Sequence, residues 1–324
     1  MHDRSLLDKL ISGDRSALGR AITLMESRRS ADREAARELL RACYGRAGNS
    51  MRIGITGIPG VRKSTLIDVL GQVMIDQGHK IAVLAIDPSS QRTGGSILGD
   101  KTRMERLSTD PNAFIRPTPT SGILGGIGRN TKEAILICEA AGYGRTLIET
   151  VGVGQSEHDV DQVCDLNVLL MIAGAGDELQ GMKRGIMEAA DVIVFTKADG
   201  DALSRTEAAA REMKKAISLL PARPNGRRAQ VLLTSSVTGS GVKELAAHLE
   251  QLATEDRASG YFQRKRRMQE IHWSMQMVHE SLIRKFEDDP GTIEMRRSLE
   301  AQIQEGHIDP IEAAERLVRR FFKD

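Results

Sequence analysis

Residues Gly57-Ile58-Pro59-Gly60-Val61-Arg62-Lys63-Ser64-Thr65 constrain this chain more than any other stretch. They follow the pattern G-x-x-x-x-G-K-[ST], whose backbone N–H groups wrap a β-phosphate while the lysine reaches the β/γ-oxygens and the hydroxyl serves Mg²⁺. The pattern works only between a strand running in and a helix running out. Arg52-Ile53-Gly54-Ile55-Thr56 supplies the strand, and Thr65-Leu66-Ile67-Asp68-Val69-Leu70 opens the helix with its N-terminus toward the anion. One position breaks the pattern: Arg62 stands where the second glycine belongs. A glycine before the lysine lets the backbone approach the phosphate closely. A β-carbon there costs about 1–3 kcal/mol if an unusual dihedral is needed. A lost charge-assisted contact adds roughly 1.5–3 kcal/mol. Arg62 is therefore expected to impair nucleotide handling; the opposing reading is that the loop shifts outward and tolerates it.

The length of 324 residues suits two domains, or one α/β domain with extensions. Lys+Arg 46 against Asp+Glu 44 leaves a net charge of +2, which argues against a bulk nucleic-acid binder. Aromatic residues at 3% also weaken any base-stacking platform. Cys43, Cys138 and Cys164 show no C-x-x-C pairing, so reduced thiols without a zinc site are expected. His158, His248, His272, His279 and His307 have no metal-ligand spacing. No apolar run approaches the ~20 residues of a membrane span, and no signal-peptide core follows Met1-His2-Asp3-Arg4. The expected setting is cytoplasmic, or an organelle matrix in a processed form, with no membrane or nucleic-acid partner.

Three regions follow from the hydrophobic pattern. Residues 1–48 read as a helical extension, with Leu6, Leu7, Leu10, Ala17, Leu18, Ile22, Ala35, Leu39 and Leu40 at helical spacing. Residues 49–255 read as the P-loop domain. Apolar runs at 51–56, 81–86, 146–148, 166–172, 192–195 and 231–233 alternate with helical stretches. Runs apolar on both faces predict a mainly parallel sheet covered by helices on both sides, with ligands at the carboxyl ends of the strands. Residues 256–324 return to helix, with a stripe of Met268, Ile271, Met275, Val278, Leu282 and Phe286. That stripe either packs on the core or meets a second copy, and a homodimer through this region is the expectation. The run Arg264-Lys265-Arg266-Arg267 reads as a solvated helix face.

Further elements follow the P-loop in the order that a GTPase requires. Asp87-Pro88-Ser89-Ser90 ends the second apolar run, and a glycine-rich charged segment, Thr93–Arg103 with Asp100, comes after it. A carboxylate here with Ser64 suits Mg²⁺, which prefers hard oxygen ligands. Taken alone, Asp87-Pro88 is also a common turn opening. Glu149-Thr150-Val151-Gly152 ends a strand with a carboxylate able to hold a metal-bound water, and the Gly152 N–H can sense a γ-phosphate. Thr196-Lys197-Ala198-Asp199 is similar to the guanine-reading motif N-K-x-D with threonine in first place. Asp199 can accept from guanine N1–H and N2–H₂, which adenine does not offer. Thr234-Ser235-Ser236 suits a backbone donor to the base O6. The nucleotide site expected from these motifs is Gly57, Pro59, Gly60, Val61, Arg62, Lys63, Ser64, Thr65, Thr196, Lys197, Asp199, Ser235 and Ser236. A P-loop kinase or ATPase acting on a small molecule, and a nucleotide-dead scaffold, remain alternatives.

Asp87–Met104, Glu149–Glu157 and Ala173–Gly185 (AGAGDELQGMKRG), together with Thr196–Asp199, resemble the methylmalonyl-CoA-mutase-associated GTPases of the MeaB/ArgK type over nearly the whole chain. The resemblance implies a homodimeric G protein that hydrolyses GTP to GDP with Mg²⁺. It also implies a chaperone that gates cofactor loading of an adenosylcobalamin-dependent acyl-CoA mutase and protects it. By that resemblance Lys63, Asp87, Asp100, Glu149 and Gly152 serve catalysis; Ser64, Asp87, Asp100 and Glu149 serve the metal and its water. Residues 174–185 would form a third switch that talks to the mutase; without the resemblance they read equally well as a long loop. Arg62 departs from the family's glycine, and Thr196 from the more usual asparagine.

Overall fold

The runs that are apolar on both faces become strands of one parallel sheet. They are β1 (Met51–Gly57), β2 (Ile81–Asp87), β3 (Ala113–Pro119), β4 (Arg145–Glu149), β5 (Leu166–Met171), β6 (Val192–Phe195) and β7 (Gln230–Leu233). Their order across the sheet is β3-β2-β4-β1-β5-β6-β7, and every pairing is parallel. This computed structural model describes residues 4–27, 29, 31–87, 104–119, 129–150, 160–174 and 184–322. Expected and observed strands agree except for β3. Its sequence AFIRPTP carries two prolines, which argue against a central strand; the structure puts it at the sheet edge, where a missing N–H costs no ladder bond.

Helices cover both faces. On one side α4 (Lys63–Asp76), α5 (Glu105–Thr109), α8 (Leu203–Leu219) and α9 (Val242–Ala258) enclose a core that includes Ile53, Ile55, Leu66, Leu70, Val168 and Leu249. On the other, α6 (Arg129–Ala140) lies under α1 (Arg4–Ile11), α2 (Arg15–Glu26) and α3 (Asp32–Tyr44), with Leu10, Leu18, Ile22, Ile135 and Ile148 buried between them. The short helix α7 (Arg184–Ala189) precedes β6. Asp14 caps α2 by accepting from the Ala17 N–H at 2.8 Å, which explains the break after Gly13. The N-terminal helices thus bury their stripes on α6 and belong to the same compact unit, Met1–Arg267.

The second unit runs from Met268 to Asp324. It holds most of α10 (Tyr261–Asp288), then α11 (Pro290–Gln304) and α12 (Pro310–Phe322). Asp289 caps α11, accepting from the Thr292 N–H at 2.7 Å, so Pro290 sits at a position that needs no donor. Leu299, Ile308 and Ala313 bury against Met295 and Leu317. Phe286 stacks edge-on against Phe321 at 5.3 Å between ring centroids. The rest of the α10 stripe, Met268, Ile271, Met275, Val278 and Leu282, is exposed.

The amino edge of the sheet is closed by a buried ionic network. Glu139 accepts from Arg52 Nε at 2.7 Å and Nη2 at 3.0 Å, from the Gly48 N–H at 2.7 Å, and from the Ser50 hydroxyl. Asp165 accepts from Arg266 Nε at 2.8 Å and Nη2 at 2.7 Å, and from the Arg52 N–H at 2.7 Å. Burial pushes the Glu139 carboxyl up. Arg52, Arg266 and the Ser50 hydroxyl outweigh it and hold the group at about 2. The basic run expected to be a solvated face is therefore split: Lys265 and Arg266 turn inward to Asp161 and Asp165.

Candidate nucleotide site

The P-loop leaves the carboxyl end of β1, the strand with neighbours on both sides at the middle of the sheet. Gly57 is required by a close approach: an added Cβ would lie 2.7 Å from the Leu170 carbonyl oxygen of β5. Pro59 and Gly60 are exposed, while Ile58 and Val61 are buried beneath them. Arg62 has φ 63° and ψ 49°, the left-handed conformation, with its side chain exposed. Helix α4 begins at the next residue, and the Leu66 N–H reaches back to the Arg62 carbonyl at 3.1 Å. The turn thus demands the backbone that glycine adopts freely. An L-residue holds it at about 1–2 kcal/mol.

Lys63 Nζ donates to the loop carbonyls of Gly57 at 2.7 Å and Ile58 at 3.4 Å. Burial pulls its pKa down, and the nearby Glu149 charge partly offsets that. The Ser64 hydroxyl donates to Glu149 Oε1 at 2.8 Å, and Thr65 is half-buried beside it. The sheet register explains the encounter. Glu149 ends β4, opposite Ile55 of β1 and Ala85 of β2. Asp87 ends β2 on the same edge. The Ser64 and Glu149 oxygens within hydrogen-bond reach of each other are the hard donor set that Mg²⁺ accepts. Among the described residues no cluster of three or more His, Cys, Asp or Glu could enclose a metal.

The loop holding Thr196–Asp199 follows β6. Thr196 shares its hydroxyl proton between the carbonyls of Val61 at 3.1 Å and Met171 at 3.3 Å. A threonine in first place therefore ties this loop to the P-loop. Lys197 has φ 58°; with Arg62 it makes up the positive-φ non-glycine residues among those described, one in each loop. Asp199 accepts from the hydroxyl of Ser235, which is buried after β7, and Ser236 is half-buried next to it. Ser235 Oγ also accepts from the N–H groups of Val237 at 3.2 Å and Thr238 at 3.1 Å.

Two motifs are thus assembled into pairs, Ser64 with Glu149 and Asp199 with Ser235. Asp100, Gly152 and residues 175–183 lie outside the described residues, as does the side chain of Asp87. Motif reading passed over two buried threonines. The Thr150 hydroxyl lies 3.0 Å from that of Thr56, and its N–H donates to the Ile55 carbonyl at 3.1 Å. A threonine at the end of each of two apolar strands is the signal, because a buried hydroxyl requires a partner.

A phosphate loop after a central strand, with helices on both faces of a parallel sheet, defines a P-loop nucleoside-triphosphatase fold. The profile described as "Methylmalonyl Co-A mutase-associated GTPase MeaB" matches residues 18–291. A probable GTPase of Mycobacterium tuberculosis is 47% identical over 321 residues, covering 98% of this chain and 96% of that protein. The mouse protein named methylmalonic aciduria type A homolog, mitochondrial, is 41% identical over 322 residues, covering 96% and 78%. The crystal structure of an LAO/AO transport system kinase superposes with a TM-score of 0.74 at 30% identity, covering 100% and 99%. The chain belongs to the methylmalonyl-CoA-mutase-associated GTPase (MeaB) family, and it is a GTPase by that membership.

Proposed function

We propose that this GTPase is a chaperone of an adenosylcobalamin-dependent acyl-CoA mutase, gating cofactor loading and protecting the mutase, with Arg62 lowering nucleotide binding and turnover. The observation that carries the nucleotide part is the Thr196–Val61 hydrogen bond. It joins the loop that reads a base to the loop that holds phosphates, so one ligand presenting both satisfies both. The mutase part is supported by the family and by the relative named for methylmalonic aciduria.

In this reading Lys63 leaves the loop carbonyls for the β/γ-oxygens, which offer it a full charge in place of dipoles. Asp199, held in aim by Ser235, accepts from guanine N1–H and N2–H₂, and the backbone N–H of Ser236 faces O6, since that of Ser235 is donated to the Ser240 carbonyl at 2.9 Å. Ser64, Glu149 and Asp87 would hold Mg²⁺, which neutralises phosphate oxygens when bound. Asp100 serves the attacking water, and the Gly152 N–H senses the γ-phosphate. The exposed stripe Met268, Ile271, Met275, Val278 and Leu282 is the homodimer face, which supports assigning residues 256–324 to dimerisation. Residues 174–185 carry nucleotide state to the mutase.

The left-handed backbone at Arg62 favours a second reading, a scaffold that no longer turns over nucleotide. One experiment separates them: capture of the mutase from the source cell, then hydrolysis of GTP and of ATP with and without it, using Arg62→Gly as the competent reference. Mutase-stimulated GTP hydrolysis in both forms supports the chaperone. Stimulation in Arg62→Gly alone supports the scaffold. Faster ATP than GTP hydrolysis would overturn the guanine assignment.

A further inference from the structure

On the amino edge of the sheet, across from Thr196 and Thr234, a cleft of about 300 Å³ opens beside β6 and β7. Arg223, Arg227 and Arg228, from the connection between α8 and β7, contribute to its wall. Buried carboxylates hold two of these guanidiniums. Arg223 Nε lies 3.3 Å from Asp191, its Nη1 donates to the Ala189 carbonyl and its Nη2 lies 3.8 Å from Asp161, while Arg227 Nη2 donates to Asp256 at 2.7 Å and Nη1 to Glu255 at 3.4 Å. Arg228 is exposed; its Nε donates to the Leu220 carbonyl at 3.0 Å. Arg228, held at Nε, is the guanidinium whose other N–H groups can meet a ligand, and a fixed guanidinium fork suits phosphate oxygens.

The carboxylates that reach the wall are engaged. Asp191 accepts from the Asn167 N–H at 2.9 Å and faces Arg223; Glu255 accepts from Gln251 at 2.9 Å and lies 3.4 Å from Arg227. Of nine lining residues only Leu252 is apolar, so a hydrophobic ligand gains little here. The volume is at the small end for ligand sites, too small for a docked helix. We infer that this cleft binds a small phosphate-bearing anion, at a site separate from the P-loop.

The test is calorimetric titration of the full-length protein at low salt, with pyrophosphate and in parallel with ribose 5-phosphate, which tells a free phosphate from an ester. Lys63→Ala removes the P-loop as a competing anion site. Saturable binding of either probe to Lys63→Ala is expected, weakened about tenfold by adding Arg228→Glu, the size of one lost charge-assisted contact. Arg228 is exposed, so an unchanged thermal melt should accompany that loss, and Arg228→Ala should weaken binding in the same direction. No binding of either probe to Lys63→Ala would overturn the site, as would affinity within threefold after Arg228→Glu.

Discussion

Two sets of charged groups, the buried network at the amino edge of the sheet and the loop lysine at its carboxyl edge, are used in opposite ways. At the amino edge Glu139 and Asp165 each accept from several donors, and Arg52, Arg266, Glu139 and Asp165 are all buried. At the carboxyl edge Lys63 rests on backbone carbonyls and two non-glycine residues hold left-handed backbone. Within the Arg52–Glu139–Asp165–Arg266 network the charges are spent on one another. The second set keeps the Lys63 charge half-buried on backbone carbonyls. Paired charge buried in the Glu139–Asp165 network holds the fold together, whereas the Lys63 ammonium rests on loop carbonyls.

Breaking the locked edge should have the largest effect. Glu139→Ala strands Arg52 without its carboxylate and should destabilise the protein by about 3–5 kcal/mol in urea denaturation. A loss below about 1 kcal/mol would abolish the contrast between the edges. The same group sets an acid limb. Its pKa is depressed from 4.5 to about 2 on folding, so its contribution is fully present above pH 4.5 and is lost as pH falls toward 2. As pH falls through that window the parent should lose stability and converge on Glu139→Gln, whose profile is flatter.

At the working edge, Arg62→Gly should tighten fluorescent GDP binding by about 100-fold, combining relieved strain with a recovered phosphate contact. Equal affinities would show that the loop accommodates arginine. Asp199→Asn should weaken GTP roughly tenfold and favour xanthosine nucleotides, because the donor–acceptor pattern inverts. Competition between the two nucleotides reads this directly. Thr196→Val, which cuts the tie to Val61, should weaken GDP about fivefold, and Thr196→Ser should restore it. Failure of the serine to rescue would assign the effect to packing.

Much of this was legible before the structure. The strand and helix order, the P-loop and the base-reading motif are local: apolar runs and motif spacing lie within a few residues of each other. β3 was not, because Pro117 and Pro119 speak against a strand, and only its place at the sheet edge makes them harmless. The inward turn of Lys265 and Arg266 was also hidden, since their partners Asp161 and Asp165 are 100 or more residues away.

By itself, then, the sequence determined the class of fold, the family, and the anomaly at Arg62. These depend on residue types at short separations, where pattern and backbone conformation are directly coupled. Only the tertiary structure decided that Arg62 sits in left-handed backbone, that Ser64 meets Glu149 across 85 residues, that Thr196 binds the P-loop across 135, and that Glu139 is locked between two arginines. Each of those depends on which strands become neighbours. Strand order is chosen by burying two helix-covered faces at once, a property of the whole chain that no local stretch encodes.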